Sequence, residues 1–289
     1  MSWLESPTAG LSPNGRLRLI HGPIDLIVTA EGPVKAIRAA YARARDAFAP
    51  VLTTLASELP RLRAPQGPDL TGPVARRMQL ATDRFAPTFV TPMAAVAGSV
   101  ADHILAAMLI PDHSLDRAHV NNGGDIALWT GTTPLSLAIC EDPVTGAAGA
   151  RASVAAGDGI GGIATSGWRG RSHSLGIADA VTVLGRDAAT ADAAATLIAN
   201  AVNLPDHPGI RRTPARSLAP DSDLGDRLVT TDVAPLSDRA LTRALAAGLI
   251  VAKAYRDRGL IVAACLACQG MRRTVGSNVA EYGKTLAHA

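Results

Sequence analysis

The sequence predicts an α+β fold in which mainly antiparallel sheets carry long helices packed on them. Three observations predict it. Short runs of alternating apolar and polar residues follow one another and are interrupted by a few long helical patterns, which is the signature of a layered α+β arrangement and not of a doubly wound parallel sheet. Two alanine-rich stretches, 188–202 and 237–258, carry helical spacing. The chain has 289 residues, 47% of them hydrophobic but only 3% aromatic. Its core must therefore be built from Ala, Val, Leu and Ile, and small side chains suit helices that lie tightly on sheets.

Element by element, residues 16–29 (RLRLIHGPIDLIVT) read as two strands around a Gly22-Pro23 turn. The stretch 33–59 has helical spacing through Val34, Ile37, Ala40, Tyr41, Ala44, Phe48, Leu52 and Leu55, and ends before Pro60. Residues 61–70 read as a loop and 72–81 as a short helix. Thr91-Pro92 opens a long helix to about Leu109, because proline is tolerated in a first turn. Short strands are expected at 118–120, 126–130, 135–140 and 150–155, then at 163–165 after a glycine loop at 157–162, and at 177–184. The helix 188–202 follows. Residues 204–223 contain four prolines and read as an extended connection, 227–233 as a strand, 237–258 as a helix and 259–268 as a buried strand. The last twenty residues read as a loose tail. The expected organisation is a single domain over 1–289, with 204–223 as the candidate internal boundary.

Composition excludes several classes. The formal charge is +3 with a pI near 9.0. That is no polybasic arm, and aromatic platforms for stacking bases are scarce, so no nucleic-acid partner is expected. The mild positive balance suits an anionic small molecule. The most apolar windows carry Asp102 and His103 or are too short, so no membrane span is expected. The first fifteen residues lack a basic region followed by an apolar stretch. Three cysteines, Cys140, Cys265 and Cys268, fit a reducing compartment, and the expected location is cytoplasmic. Cys265 and Cys268 form a lone CxxC in an apolar strand pattern and read as buried structural residues. The glycine loop at 157–162 lacks the lysine of a phosphate loop and precedes a strand, so it reads as a turn. The Ala-rich helices are candidates for burial in a homo-oligomer.

Three clusters carry polar chemistry. Asn121-Asn122-Gly123-Gly124-Asp125 reads as a hairpin turn, since Asn and Gly tolerate positive φ. The same glycines would let the backbone approach a ligand, with Asn121, Asn122 and Asp125 supplying donors and acceptors. Thr165-Ser166-Gly167 is followed by Arg169 and Arg171, whose planar forks can hold a phosphate or carboxylate. His173 and Asp179 are the candidates for moving a proton. Asp192 and Thr196 lie four apart on one helix face. They suit a hard cation such as Mg²⁺, and an Asp near a helix start equally suits a cap.

Six motifs in order resemble the ApbE-like superfamily, whose founding members are flavin transferases. Ala94–Asp102 (AAVAGSVAD) resembles its G-A-I-A-K-G-x-x-x-D helix start, and Asn122–Asp125 its L-G-G-[DE] turn. Residues 137–143 (LAICEDP) resemble the strand ending in D-P, Thr165–Gly167 match T-S-G, 180–183 resemble V-T-V, and 191–196 (ADAAAT) resemble A-D-A-x-x-T. The wording is similar to a bacterial and archaeal branch that shares HGPIDL, VNNGGDIAL and ATSGWRGRS. The resemblance implies an ApbE-like fold and a small-molecule ligand such as FAD, FMN or another heterocycle. It also implies an Mg²⁺ site at Asp192, Thr196 and a backbone carbonyl near Ala94. The sequence departs from the pattern in two places. Ala97 stands where the family has lysine, and residues 172–179 (SHSLGIAD) replace the H-I-x-D-P-x-T-G segment that carries the catalytic histidine. The resemblance thus points to a cofactor-binding protein, as a transferase-type enzyme or as a carrier without turnover.

Overall fold

The computed structural model describes residues 6–142, 147–170, 172–277 and 279–281. Strands β1 (Thr8–Leu11), β2 (Leu17–His21) and β3 (Ile24–Glu31) open the chain. Helices α1 (Val34–Phe48), α2 (Val51–Ser57), α3 (Leu59–Leu62) and α4 (Pro73–Asp83) follow. A 3₁₀ turn at Pro92–Ala95 leads into α5 (Val96–Met108). Five strands come next: β4 (Arg117–Asn122), β5 (Asp125–Thr130), β6 (Leu135–Asp142), β7 (Ala147–Val154) and β8 (Gly162–Ser166). The chain continues through β9 (Ala180–Gly185), α6 (Ala188–Ala201), β10 (Ile210–Pro214), α7 (Ala215–Leu218), β11 (Leu228–Val233) and α8 (Asp238–Asp257). It closes with β12 (Ala263–Cys268), β13 (Met271–Val275) and β14 (Val279–Glu281).

Nine strands form one sheet in the order β1-β2-β3-β4-β5-β8-β9-β12-β13, beside a three-stranded sheet β14-β7-β6 and the pair β10-β11. Every ladder among the described residues is antiparallel, as the α+β reading expects. The outer strands keep one wet face: β2 and β3 alternate buried and exposed positions. The inner strands β9 and β12 are buried at all six positions. Helices α6 and α8 cover one face of them. On the other face Leu128, Val154, Ile163, Leu184 and Cys265 form a separate apolar cluster shared with the small sheet. Cys265 and Cys268 are both buried, as their apolar setting suggested.

Small residues let α6 sit down on the sheet. A side-chain carbon at Gly162 would lie 2.1 Å from the Ala188 nitrogen, and one at Gly176 would lie 2.0 Å from the Ala199 oxygen. Glycine is therefore the residue that allows the helix to approach this closely.

Several expectations change. The single helix over 33–59 is broken twice. Pro50 lacks an N–H and its ring obstructs the preceding turn, which separates α1 from α2. Helix α2 ends at its C-cap Glu58, after which α3 starts with Pro60 in its first turn. The loop expected from residue 61 begins inside α3. The extended 204–223 connection holds β10 and α7, and β10 pairs with β11. The tail expected after residue 270 contributes β13, which folds back on β12 through Gln269 (φ 44°) and Gly270 (φ 79°). Two residues with positive φ make the primed turn that matches strand twist. The strand β1 has no counterpart in the sequence reading.

Candidate functional site

Four segments distant in sequence meet around one cleft of about 1030 Å³. They are the β4–β5 hairpin tip, the end of β8 with the loop after it, the first turns of α5, and α6. The helices α2 and α3 close a further side. Leu52, Leu55, Leu59, Leu62, Met93 and Val96 make an apolar wall; Asn121–Asp125, Thr165, Ser166, Arg169, Thr182, Asp192 and Thr196 make a polar one.

The polar wall is held by short-range geometry. Asn122 pairs with Asp125 across a two-residue hairpin loop, with Gly123 at φ 67° and Gly124 at φ 113°. Only glycine adopts the second value without strain. The Asn121 side-chain oxygen accepts from Gly124 N at 2.8 Å, and Asn122 Nδ2 donates to the Ala97 carbonyl at 3.1 Å. The hairpin reading holds, and the turn is pinned to the first turn of α5 and lines the cleft. Asp125 Oδ1 accepts from Thr165 N at 3.1 Å. The hydroxyls of Thr165 and Thr182, register partners on β8 and β9, lie 2.8 Å apart.

Asp192 sits one turn into α6, partly buried, and its Oδ2 accepts from Gly98 N at 3.0 Å. It thus caps a neighbouring helix, α5, while Asp187 caps its own by accepting from Thr190 N at 2.7 Å. The favour is returned by Asp102 of α5, which accepts from Ala188 N (3.1 Å) and Ala189 N (2.9 Å) at the start of α6. Each helix satisfies the other's orphan N–H groups. Gly98 permits the crossing, since a Cβ there would lie 2.2 Å from the Ala188 carbonyl oxygen.

These carboxyls are electrostatically unusual. Burial, and after it the charge of Asp125, push the Asp192 carboxyl well above the usual carboxylate range, against the pull of the Gly98 and Ala97 N–H groups. Burial likewise raises Asp102 to about 6, opposed by its two backbone donors. The Asp125 charge thus disfavours ionisation of Asp192 in this cleft, and a bound cation would relieve that. Asp125, Asp192 and the Thr196 hydroxyl line this cleft, and oxygen donors of these kinds are what a hard divalent ion takes. Among the described residues no group of three or more His, Cys, Asp and Glu side chains gathers.

The structure sorts the sequence candidates. Asn121, Asn122, Gly123, Gly124, Asp125, Thr165, Ser166, Gly167, Arg169, Asp192 and Thr196 all line the cleft. Arg171 lies outside the described residues. Ala94 is not in the lining; Met93 and Ala97 of the same segment are. His173 is exposed and is not itself in the lining, although the adjacent Ser172 is. Asp179 is not in the lining either, and its carboxylate is already engaged. Oδ1 accepts from Trp168 Nε1 (3.2 Å) and Arg169 Nε (2.8 Å), and Oδ2 accepts from Gln269 N (2.5 Å). A carboxylate bound by three donors holds the loop and orients Arg169. Sequence reasoning missed Arg63, Thr182 and the α2–α3 wall. Thr182 was visible as the polar residue of an otherwise apolar V-T-V strand, whereas Arg63 was hidden because its segment read as loop.

A family model described as AbpE bacteria matches residues 9–274. The chain is 39% identical over 169 residues to a UPF0280 protein of Methanothrix thermoacetophila, covering 54% of this chain and 61% of that protein. It is 39% identical over 119 residues to a UPF0280 protein of Archaeoglobus fulgidus, covering 39% of this chain and 45% of that protein. The chain thus spans less than two thirds of the length of these curated relatives. Among solved structures, the ApbE protein from Thermotoga maritima aligns with a TM-score of 0.44 at 12% identity, covering 92% of this chain and 96% of that one.

Proposed function

The chain belongs to the AbpE bacteria family, and from that premise we propose that its cleft binds an anionic, cofactor-sized molecule of flavin, pterin or nucleotide type together with a divalent cation. One observation carries the reading: an apolar wall, two opposed carboxylates and a guanidinium share a single cleft. Asp192, Thr196 and Asp125 are the cation's protein donors. A divalent ion bound there supplies neutralisation of phosphate oxygens. Arg169, steered by Asp179, and Arg63 at the apolar end hold the ligand's negative groups. The leucines of α2 and α3 take its apolar face, and Asn121 offers its side-chain amide N–H groups to a heterocycle edge.

A second reading, a carrier without turnover, is favoured by the lining itself. Among the described residues the cleft presents no histidine, lysine, cysteine or tyrosine. General acid–base work would fall to Asp125 or Asp192 alone. The motif resemblance makes FAD and FMN the first probes. Thermal unfolding of the full chain should shift upward with FAD or FMN only when Mg²⁺ is present, as mass action requires. The shift should vanish in Asp192→Asn and shrink in Arg169→Gln. A shift indifferent to Mg²⁺ and to Asp192→Asn overturns the cation site, and no shift with any flavin, pterin or nucleotide overturns the ligand class. Mass spectrometry of the small molecule before and after incubation separates carrier from enzyme.

A further inference from the structure

A second cleft, of about 330 Å³, shares no lining residue with the first. One wall is a single face of α4, where Arg76, Arg77, Leu80 and the C-cap Arg84 recur at helical spacing. The other wall is the first turn of α6, with Asp187 and Thr190. Three guanidinium groups therefore meet one lining carboxylate, and that carboxylate is engaged as the helix cap. Among the described residues none of the three arginines makes an ion pair within 4.0 Å.

The bland account is a solvated basic helix face, and Arg77 argues against it. Its Nε is shielded from solvent and has no hydrogen-bond partner, although buried donors are nearly always satisfied. The α6 N–H groups do not explain the cleft, because Asp102 and Asp187 already accept from them. Asp187 lines the cleft and the Asp102 charge acts on Arg77, yet among the described residues no arginine there is ion-paired within 4.0 Å. Positive charge is therefore in excess, and planar guanidinium forks select tetrahedral oxyanions. Leu80, 62% exposed at the rim, offers an apolar rest for an organic group attached to such an anion.

We propose that this cleft binds a phosphate group, held by Arg76, Arg77 and Arg84. It is independent of the first site and of the ligand proposed there. The test uses the full chain and inorganic phosphate, with ADP as a second arm to separate a free anion from the phosphoryl end of an organic molecule. Phenylglyoxal modification read by peptide mass spectrometry should slow several-fold at these three arginines when phosphate or ADP is present. Arg18 and Arg211, already paired with Asp25 and Asp232, should be unaffected. Equal modification with and without both anions overturns the site without requiring any variant. In titrations, Arg76→Gln/Arg84→Gln should weaken phosphate binding at least about tenfold, while Asp192→Asn should leave it unchanged. Loss of phosphate binding in Asp192→Asn with retention in the arginine double variant would assign the anion to the first cleft instead.

Discussion

Replacing Gly98 by alanine tests whether the crossing of α5 and α6 organises the site. An added Cβ would lie 2.2 Å from the Ala188 oxygen, 2.5 Å from the Ala188 carbonyl carbon and 2.8 Å from the Ala189 nitrogen. All three are backbone atoms and cannot rotate away, so α6 must withdraw by about 1 Å to restore ordinary contact. Alanine gains about 1 kcal/mol over glycine in helix propensity. Against this, overpacking costs about 1–3 kcal/mol. Separation of the helices also strains the reciprocal bonds from Asp192 and Asp102, each cap worth about 0.5–2 kcal/mol. The balance is a loss of about 1–6 kcal/mol, the upper end if both caps are lost outright. Gly248 of α8 is the control. Its added Cβ would meet Val202 Cγ2 at 2.3 Å and Leu266 Cδ2 at 2.9 Å, ends of side chains that can turn. Gly248→Ala should therefore cost less, about 0–2 kcal/mol, by the same propensity and packing terms. Urea unfolding followed by circular dichroism measures both. If Gly98→Ala proves as stable as the parent, or milder than Gly248→Ala, the backbone-contact reasoning is wrong.

Other consequences follow from the same geometry. Asp102 has a folded pKa of about 6 against an ordinary 3.8, so its contribution favours folding fully below about pH 4 and is lost as pH rises through about 6. That amounts to about 3 kcal/mol between the two limits. Stability should fall from pH 4 to pH 7 by more in the parent than in Asp102→Asn, and equal pH slopes would refute the burial of that carboxyl. Asp179→Asn should cost about 1–3 kcal/mol, because an amide donor is set against N–H groups, and should loosen Arg169. Full stability in that variant would refute the structural role of the Asp179 carboxylate. Gly270→Ala meets no atom within 4 Å but must hold φ +79°, so it should cost about 1 kcal/mol through conformation alone, measured by the same unfolding assay.

Much of this was legible in the sequence. Period-two runs and long alanine helices announced antiparallel layers, because side-chain direction repeats every two residues in a strand and about every 3.6 in a helix. Asn121–Asp125 and Thr165–Gly167 were visible as site material because glycine and small polar residues are costly in a core without a reason. Breaks set by local chemistry were read less well: Pro50 divided a helix, and the Gln269-Gly270 turn recruited a tail into the sheet.

The chain's own residues thus determined its α+β class and the hairpin and loop that border the cleft, since those depend on neighbours a few positions apart. Its motif wording determined the family it resembles. Tertiary structure alone decided that Asp192 caps α5 instead of its own helix, that Asp179 clasps Arg169, and that His173 stays outside. It also decided that leucines of α2 and α3 face the polar wall. Each of these depends on which backbone comes within a few ångströms of which side chain. That is fixed by glycines such as Gly98 and Gly162 meeting a helix far along the chain, a contact that no local pattern encodes.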